Sequence, residues 1–378
     1  MSEKVEDRIE ELEERLANTK VNKATQKSIN FIKAQLAKLR EDLIRITSSK
    51  KGGGGGYGVK KSGDAQVAFI GFPSVGKSSL LNLLTEGDTH SKVAAYDFTT
   101  ITAIPGMMKI EEAKIQLIDL PGIILGASAG KGRGKEVLGV VRTAELILNI
   151  ICFREDGTIN FSDLDIIRKE LNDAGIRLNT DPPRIQIKER TRGGIHFTYK
   201  GEQIMDKDEV KALMNELKVR NAGIYFADPF ITADQLIDFV LGNRVYSKEF
   251  VVINKSDLMK TPVPPEKITE AIGHEHWVMI SAKNHENINA LRHKIFLELE
   301  LIRIYLKPPR QEADMVEPII LHHDDTIETL CRKIHKRFIN DYRYSLVWGK
   351  SVKHPGQKFN NLKHVLQDGD IVSIYLKR

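Results

Sequence analysis

The sequence predicts an α/β fold in which an open sheet with parallel strands carries a ligand at the C-terminal ends of those strands. Three observations predict it. The stretch Gly71-Phe72-Pro73-Ser74-Val75-Gly76-Lys77-Ser78 fits G-x-x-x-x-G-K-[ST]. It stands between an apolar, β-prone run, residues 65–70, and a segment whose Leu80, Leu81, Leu83 and Leu84 repeat at helical spacing. Two continuous apolar runs, 146–152 and 250–253, have the length of buried parallel strands. Finally, Asp119-Leu120-Pro121-Gly122, Asn254-Lys255-Ser256-Asp257 and Ser281-Ala282-Lys283 each follow directly on a predicted strand.

At 378 residues the chain is too long for one core, so two to four domains are expected. Cys152 and Cys331 are far apart and belong to no C-x-x-C pair, which argues against a disulfide framework or a zinc site and for a reducing, cytoplasmic setting. No apolar run approaches the length of a membrane span or a signal core, so no membrane partner is expected. The net charge of +6 is modest for this length. Its distribution is more informative than its total.

The chain opens with an acidic segment, 3–16, whose Val5, Ile9, Leu12 and Leu16 form one apolar stripe on a helix. A second helix is predicted over 24–46, with Ile29, Ile32, Leu36, Leu39 and Leu43 on one side and Asn22 turning the chain before it. Every charge from Lys20 to Arg40 is basic, which reads either as a solvated face or as a surface for RNA phosphates or an acidic partner. Gly52 to Gly56, flanked by lysines, marks a flexible linker and a domain boundary.

Backbone N–H groups of the glycine loop, with the positive end of the following helix, would cradle phosphate oxygens. The contacting set is Gly71, Pro73, Ser74, Val75, Gly76, Lys77, Ser78 and Ser79. Lys77 would neutralise the β- and γ-phosphates and Ser78 would ligate Mg²⁺. Either Thr99 or Thr100, ahead of the next strand, completes the magnesium shell. Asp119 supplies a carboxylate for a magnesium-bound water, and the Gly122 N–H would face the γ-phosphate. Residues 127–135 alternate glycine with Lys131, Arg133 and Lys135, a cationic loop suited to ordering around phosphate. Asp257 decides the base: its carboxylate accepts from guanine N1–H and the exocyclic amine, whereas adenine offers no donor at N1. Asn254 and Lys255 flank it, and the backbone at Ser281, Ala282 and Lys283 would receive guanine O6. The ligand is therefore GTP or GDP.

This ordered set resembles the translation-factor-class GTPases. More narrowly, Gly-Phe-Pro-Ser-Val-Gly-Lys-Ser, Phe98-Thr99-Thr100 and the Gly-Lys-Gly-Arg-Gly loop at 130–134 resemble the Obg superfamily. The glycine linker, Gly242-Asn243-Arg244-Val245-Tyr246 and Leu346-Val347-Trp348-Gly349 resemble its developmentally regulated GTP-binding protein (DRG) branch. The resemblance implies a P-loop NTPase G domain (64–176 and 231–302) with an inserted small α+β module (177–230). It also implies an N-terminal helical region (1–50), a linker (51–63) and a C-terminal ubiquitin-like β-grasp, or TGS, domain (303–378).

Within the insertion, strands around Gly193-Gly194 precede a helix from Asp206, with Glu209 closing a capping box and Val210, Leu213, Met214 and Leu217 buried; His196 reads as a strand-surface residue. In the last segment one helix is predicted over 326–339, capped by Asp325 and Glu328, with Ile327, Leu330, Ile334 and Phe338 inward. From Arg303 onward 14 Lys/Arg face 9 Asp/Glu, so most of the net charge lies here.

The resemblance further implies Thr100 as the magnesium threonine, ribosome or RNA contact through the basic N-terminal helix and the TGS domain, and a DRG-family regulatory protein as partner. Two departures follow from it. Ile123 stands where Ras-like enzymes carry the water-orienting glutamine, so turnover should be slow, about 10⁻⁴ to 10⁻² s⁻¹. Leu125 replaces the family's usual Glu. The missing group would come from Arg133 or Lys131, from a partner or ribosomal RNA, or from K⁺ as a charge clamp, although potassium-activated relatives carry Asn where Ser74 stands. The alternative to a hydrolytic switch is a GTP-loaded scaffold for a protein partner; ATP as the nucleotide is a distant third reading.

Overall fold

The computed structural model describes residues 2–22, 25–49, 61–85, 104–120 and 139–377; Thr99, Thr100, Gly122, Ile123, Leu125, Lys131 and Arg133 lie outside the described residues. In chain order the elements are α1 (Ser2–Asn18), α2 (Gln26–Ser49), β1 (Ala65–Ile70), α3 (Lys77–Thr85), β2 (Ile104–Ile110), β3 (Ala113–Asp119), β4 (Leu146–Cys152), α4 (Ser162–Asp173), β5 (Ile176–Leu178), β6 (Ile185–Glu189), β7 (Ile195–Tyr199), α5 (Lys207–Glu216), β8 (Ala222–Phe226), α6 (Ala233–Leu241) and β9 (Val245–Asn254). Then follow α7 (Pro265–Ile272), β10 (Trp277–Met279), α8 (Ile288–Glu298), β11 (Leu301–Leu306), β12 (Ile319–His322), α9 (Ile327–Ile334), α10 (Arg337–Asn340), β13 (Tyr342–Trp348), β14 (Gln357–Phe359) and β15 (Ile371–Leu376). They fall into two compact units: the described parts of 1–58, 123–142 and 165–248, and those of 59–122, 143–164 and 249–378.

In the first unit α1 and α2 pair through the expected stripes, burying Ile9, Leu12, Ile32, Leu36 and Leu43. Asn22 turns the chain as its side-chain oxygen accepts from Thr25 N at 2.9 Å. The basic face of α2 turns inward to acids of the same unit. Lys27 meets Asp206 at 2.6 Å, Lys33 meets Asp234 at 2.7 Å, Lys38 meets Glu216 at 3.7 Å, and Arg40 lies 2.8 Å from both Glu13 and Asp173. The exposed pairs among these, Lys27–Asp206 and Lys33–Asp234, each contribute about 0 to 1 kcal/mol, so they orient the helix more than they stabilise it.

The three-stranded sheet β6-β8-β7 lays one face on α5 and α6, burying Val210, Leu213, Met214, Ile224, Phe226, Leu236 and Ile237. Asp206 caps α5 by accepting from Asp208 N and Glu209 N. Glu209 does not complete the expected box: its carboxylate accepts from Asn30 Nδ2 of α2 at 2.5 Å, a tertiary partner that competes with the local one.

In the second unit the sheet runs β10-β9-β4-β1-β3-β2. Pairs β1–β3, β1–β4 and β9–β10 are parallel; β2 is an antiparallel edge hairpinned to β3. Alternate side chains pack on opposite faces, as the pleat requires. Phe69, Leu117, Leu148, Ile150 and Val252 meet Leu80, Leu84, Leu291 and Ile295 of α3 and α8, while Ile151, Val251 and Ile253 meet Ile268 and Ile272 of α7. One buried polar chain crosses this core: Asn149 Nδ2 donates to Glu249 Oε1 at 2.9 Å, and Glu249 Oε2 lies 3.2 Å from His274 Nε2.

The C-terminal strands form a five-stranded sheet, β12-β11-β15-β13-β14, with β11 and β15 parallel, over a core of Ile302, Ile304, Leu321, Ile327, Leu330, Val347 and Val372. The single helix expected over 326–339 is two helices. His335 is extended (φ −168°, ψ 139°) and separates α9 from α10, although Ile334 and Phe338 still pack on the core. Its capping expectation is also corrected. The N–H groups of Ile327 and Glu328 donate to the carbonyls of His364 and Leu362, Asp325 accepts from His322 N, and Glu328 pairs with Arg332. A neighbouring loop supplies the acceptors that a local side chain would otherwise provide.

The same unit joins this sheet to the parallel one. Leu301 and Ile320 enter the core of β1, β3 and β4. Lys333 pairs with Asp64 at 2.7 Å, Arg303 with Glu111 at 2.8 Å and His322 with Glu145 at 3.0 Å. The hydrogen bond to Glu145 raises the His322 pKa above its usual 6.5, and despite its burial Glu145 is held below 4.5 by His322 and Lys61. The histidine's contribution is therefore complete below pH 6.5 and is lost as pH rises through its raised value. The carboxylate's contribution is present above pH 4.5 and is lost as pH falls through its depressed value. Equilibrium denaturation at pH 6 and pH 8 should show a stability difference that shrinks by up to about 1 kcal/mol in His322→Gln. Identical pH dependence in both proteins would remove this pair as its source.

Candidate functional site

The glycine loop leaves β1 and enters α3 as the motif requires. A Cβ on Gly71 would lie 2.4 Å from Ile150 O, and one on Gly76, whose φ is +96°, would lie 2.3 Å from Asn254 Nδ2. Neither position tolerates a side chain, because the loop is wedged between β4 and the end of β9. Ser74 is also left-handed (φ 65°); it is exposed together with Pro73, Ser78 and Ser79, while Val75 is buried and fastens the loop to the core. The N–H groups of the first turn of α3 have no intrahelical partner by construction, so a positive backbone surface forms here.

Lys77 is buried, and its ammonium donates to the carbonyls of Gly71 (3.0 Å) and Phe72 (2.9 Å), arching back over the loop. Burial lowers its pKa from the ordinary lysine value, with Asp119 acting in the opposite direction. Phosphate charge placed beside it would offset that desolvation. Ser78 Oγ donates to Asp119 Oδ2 at 2.5 Å, which brings the first residue pair of the predicted magnesium shell together. Asp119 Oδ1 is buried with no hydrogen-bond partner among the described residues. An orphaned carboxylate oxygen beside a hydroxyl is a hard-oxygen donor set, which fits Mg²⁺. No group of three or more His, Cys, Asp or Glu able to hold a metal occurs among the described residues. A magnesium ion held by hydroxyls, water and phosphate oxygens needs none.

The base end is assembled around Asn254, which is buried at the end of β9. Its Nδ2 donates to Val75 O at 2.8 Å, and its Oδ1 accepts from Lys255 N at 2.8 Å and Ala282 N at 3.0 Å. One amide thus joins the glycine loop to both base-recognition segments. Lys255 adopts the left-handed conformation (φ 61°), turning the chain so that Asp257 follows in a short 3₁₀ turn. Ser281 Oγ donates to Asp257 Oδ1 at 2.6 Å, leaving the carboxylate half-buried, and Asn284 N donates back to Ser281 Oγ at 3.1 Å. Ser256 N binds Ile280 O at 3.0 Å, which fixes the two segments edge to edge. Lys283 is exposed beside them.

The predicted residues 71–79, Asp119, 254–257 and 281–283 therefore gather at one end of one sheet. Sequence reading named Asn254 as a ligand contact but missed its cross-bracing role, which needs the spatial neighbour Val75 O. It also missed the Asn149–Glu249–His274 chain, whose members are 100 and 25 residues apart.

Residues 66–187 match a family model described as 50S ribosome-binding GTPase, 192–301 match the C-terminal region of that domain, and 302–376 match the TGS domain. The chain is 46% identical over 377 residues to a GTP-binding protein of Methanocaldococcus jannaschii, covering 99% of this chain and 93% of that protein. It is 45% identical over 376 residues to developmentally-regulated GTP-binding protein 1 of Xenopus laevis, covering 98% of each. Among solved structures, the YchF GTPase of Schizosaccharomyces pombe aligns with 84% of this chain and 99% of its own, at 11% identity and a TM-score of 0.45.

Proposed function

Because the chain belongs to the developmentally regulated GTP-binding protein family, with a GTPase G domain and a TGS domain, we propose that it is a slow, Mg²⁺-dependent GTPase. In this reading its nucleotide state controls association with ribosomes and growth. The observation that carries the nucleotide part is the Asn254 amide, which holds the phosphate loop through Val75 O and the base segments through Lys255 N and Ala282 N. The G domain comprises 64–176 and 231–302, the insert 177–230 and the TGS domain 303–378; the work is done in the cytoplasm.

Asp257 accepts from guanine N1–H and its exocyclic amine, while the backbone at 281–283 donates toward O6. The glycine loop receives the phosphates, and Lys77 exchanges the carbonyls of Gly71 and Phe72 for β- and γ-phosphate oxygens, placing a cation where charge grows as the bond to the leaving group breaks. Ser78 and Thr100 would hold Mg²⁺, with Asp119 contacting it through water, and the ion would supply positive charge to offset the negative charge of the phosphates. In this mechanism Gly122 would supply an N–H toward the γ-phosphate. Since Ile123 offers no group to orient the attacking water, a partner, Arg133 or K⁺ completes the site, and basal turnover stays near 10⁻⁴ to 10⁻² s⁻¹.

The family description supports ribosomes as the partner. A regulatory protein of the kind the family uses would join the complex. Of the two basic segments read as RNA surfaces, α2 spends Lys27, Lys33, Lys38 and Arg40 on internal acids. The TGS sheet instead keeps Lys358 4.3 Å from the centre of the Tyr344 ring and Lys307 5.1 Å from that of Trp348. The TGS domain is therefore the stronger of the two.

Single-turnover GTP hydrolysis should accelerate when ribosomes are added, in potassium or sodium buffer alike if the missing group comes in trans. Tight GTP binding with turnover that ribosomes leave unchanged would favour the scaffold reading. Acceleration by potassium without ribosomes would assign the missing charge to a monovalent cation.

A further inference from the structure

We propose that the solvent face of the β6-β8-β7 sheet binds single-stranded RNA, stacking an unpaired base on Tyr225 and holding the flanking phosphates with Lys188 and Arg190. Its residues belong neither to α2 nor to the TGS domain. The choice of RNA as the polymer rests on the ribosome reading above; the surface itself rests on the following geometry.

Strand register puts two rows on this face. Gln186, Tyr225 and Thr198 align across the three strands, as do Lys188, Gly223 and His196. All but Gly223 are exposed. The intervening rows, Ile187-Ile224-Phe197 among them, point to the helices, so the face presented to solvent carries no carboxylate. Glu189 falls on the opposite alternation. Several other cations of this unit are matched to acids, Arg184 with Asp228 for example. Lys188 and Arg190 have no acid partner among the described residues.

Gly223 makes the geometry possible. A Cβ there would lie 3.3 Å from Arg190 Nη2, so the bare backbone of the central strand lets the guanidinium lie low against the sheet. Beside it the Tyr225 ring is 37% exposed, and the two border a shallow, open cavity of about 340 Å³. A flat aromatic platform in the middle of a three-stranded sheet, flanked in its own row by the amide of Gln186 and the hydroxyl of Thr198 and with cations further along the strands, offers stacking, phosphate pairing and base-edge hydrogen bonds together. The open sides suit a strand passing across it better than a small molecule that must be enclosed.

The test is fluorescence anisotropy of a labelled, unstructured 12-nucleotide RNA with the full chain across a salt series. Circular dichroism confirms that each variant is folded, which is expected because the substituted side chains are exposed. Tyr225→Ala should weaken binding by roughly 5- to 100-fold, and Tyr225→Phe should restore it, since stacking needs the ring and not the hydroxyl. The double change Lys188→Ala with Arg190→Ala should weaken binding and reduce the log–log salt slope by about 1.4, the value for two phosphates on a single strand.

Duplex RNA of the same sequence should bind more weakly and ignore Tyr225→Ala. Unchanged affinity and salt slope in these variants, with loss on Lys307→Ala plus Lys358→Ala, would overturn this site while leaving RNA association through the TGS domain intact. Absence of RNA binding by the unaltered chain would overturn both. Competition by polyglutamate as effective as by RNA, indifferent to Tyr225→Ala, would make the face an acidic-peptide surface and overturn the proposal.

Discussion

Lys77→Ala is expected to lower single-turnover GTP hydrolysis by about 10² to 10³-fold, because in the proposed mechanism the group lost is a preorganised cation aimed at charge that develops on the phosphates. Its ammonium now bonds the carbonyls of Gly71 and Phe72. Both lie next to a loop open to water, so removing the side chain should leave the fold intact. Burial already holds the Lys77 pKa below its ordinary value, which means that the unliganded protein carries a disfavoured charge. Nucleotide relieves that, so GTP affinity should fall alongside the rate. Comparing hydrolysis of pre-bound GTP with equilibrium binding separates the two. A variant with weakened binding and an unchanged rate for bound GTP would show that Lys77 acts on the ground state alone.

Asp257→Asn should collapse the preference for guanine over adenine nucleotides, which a site of this kind sets at roughly 10⁴. In the proposed site the carboxylate would accept two donors from guanine; the amide would offer one acceptor and one mismatched donor. The same change should favour xanthine nucleotides, whose C2 carbonyl accepts where guanine donates. Competition between GTP, XTP and ATP for a fluorescent analogue measures this directly. Ser281 Oγ, which donates to Asp257 Oδ1 at 2.6 Å, can reorient to the new side chain, so the loop should hold its conformation. Retained guanine preference in Asp257→Asn would move base recognition to another group.

Much of this site was legible before any coordinates because its chemistry is local. A phosphate loop needs glycines at set intervals and a lysine after them, and a parallel strand buried on both faces needs a run of apolar residues; both are short-range patterns. The helix caps were less legible. Asp206 caps α5 as its sequence suggests, but Glu209 leaves the box for Asn30, and α9 takes its acceptors from residues 362–364. In both cases the local partner was chemically adequate and a tertiary one displaced it.

The basic run on α2 illustrates the same limit for function. Six consecutive charges of one sign read as a surface for an anion, yet four of them pair with acids located as far as 201 residues away in the chain. Conversely, nothing in the spacing of Lys188, Arg190 and Tyr225 marks them as a group, and His196 reads only as a strand-surface residue. Only strand register shows that three of these residues share a face and that Gly223 leaves room there for Arg190.

The sequence by itself determined the nucleotide, the order of strands and loops that hold it, and the absence of a glutamine at position 123, since each depends on residue identity at fixed local spacing. Tertiary structure alone decided that Asn254 braces the phosphate loop to the base segments, that the TGS sheet is fastened to the parallel sheet through Asp64, Glu111 and Glu145, and which cations are left without acids. Those outcomes depend on which distant groups the packed core brings within about 3 Å of one another, and chain spacing carries no record of that distance.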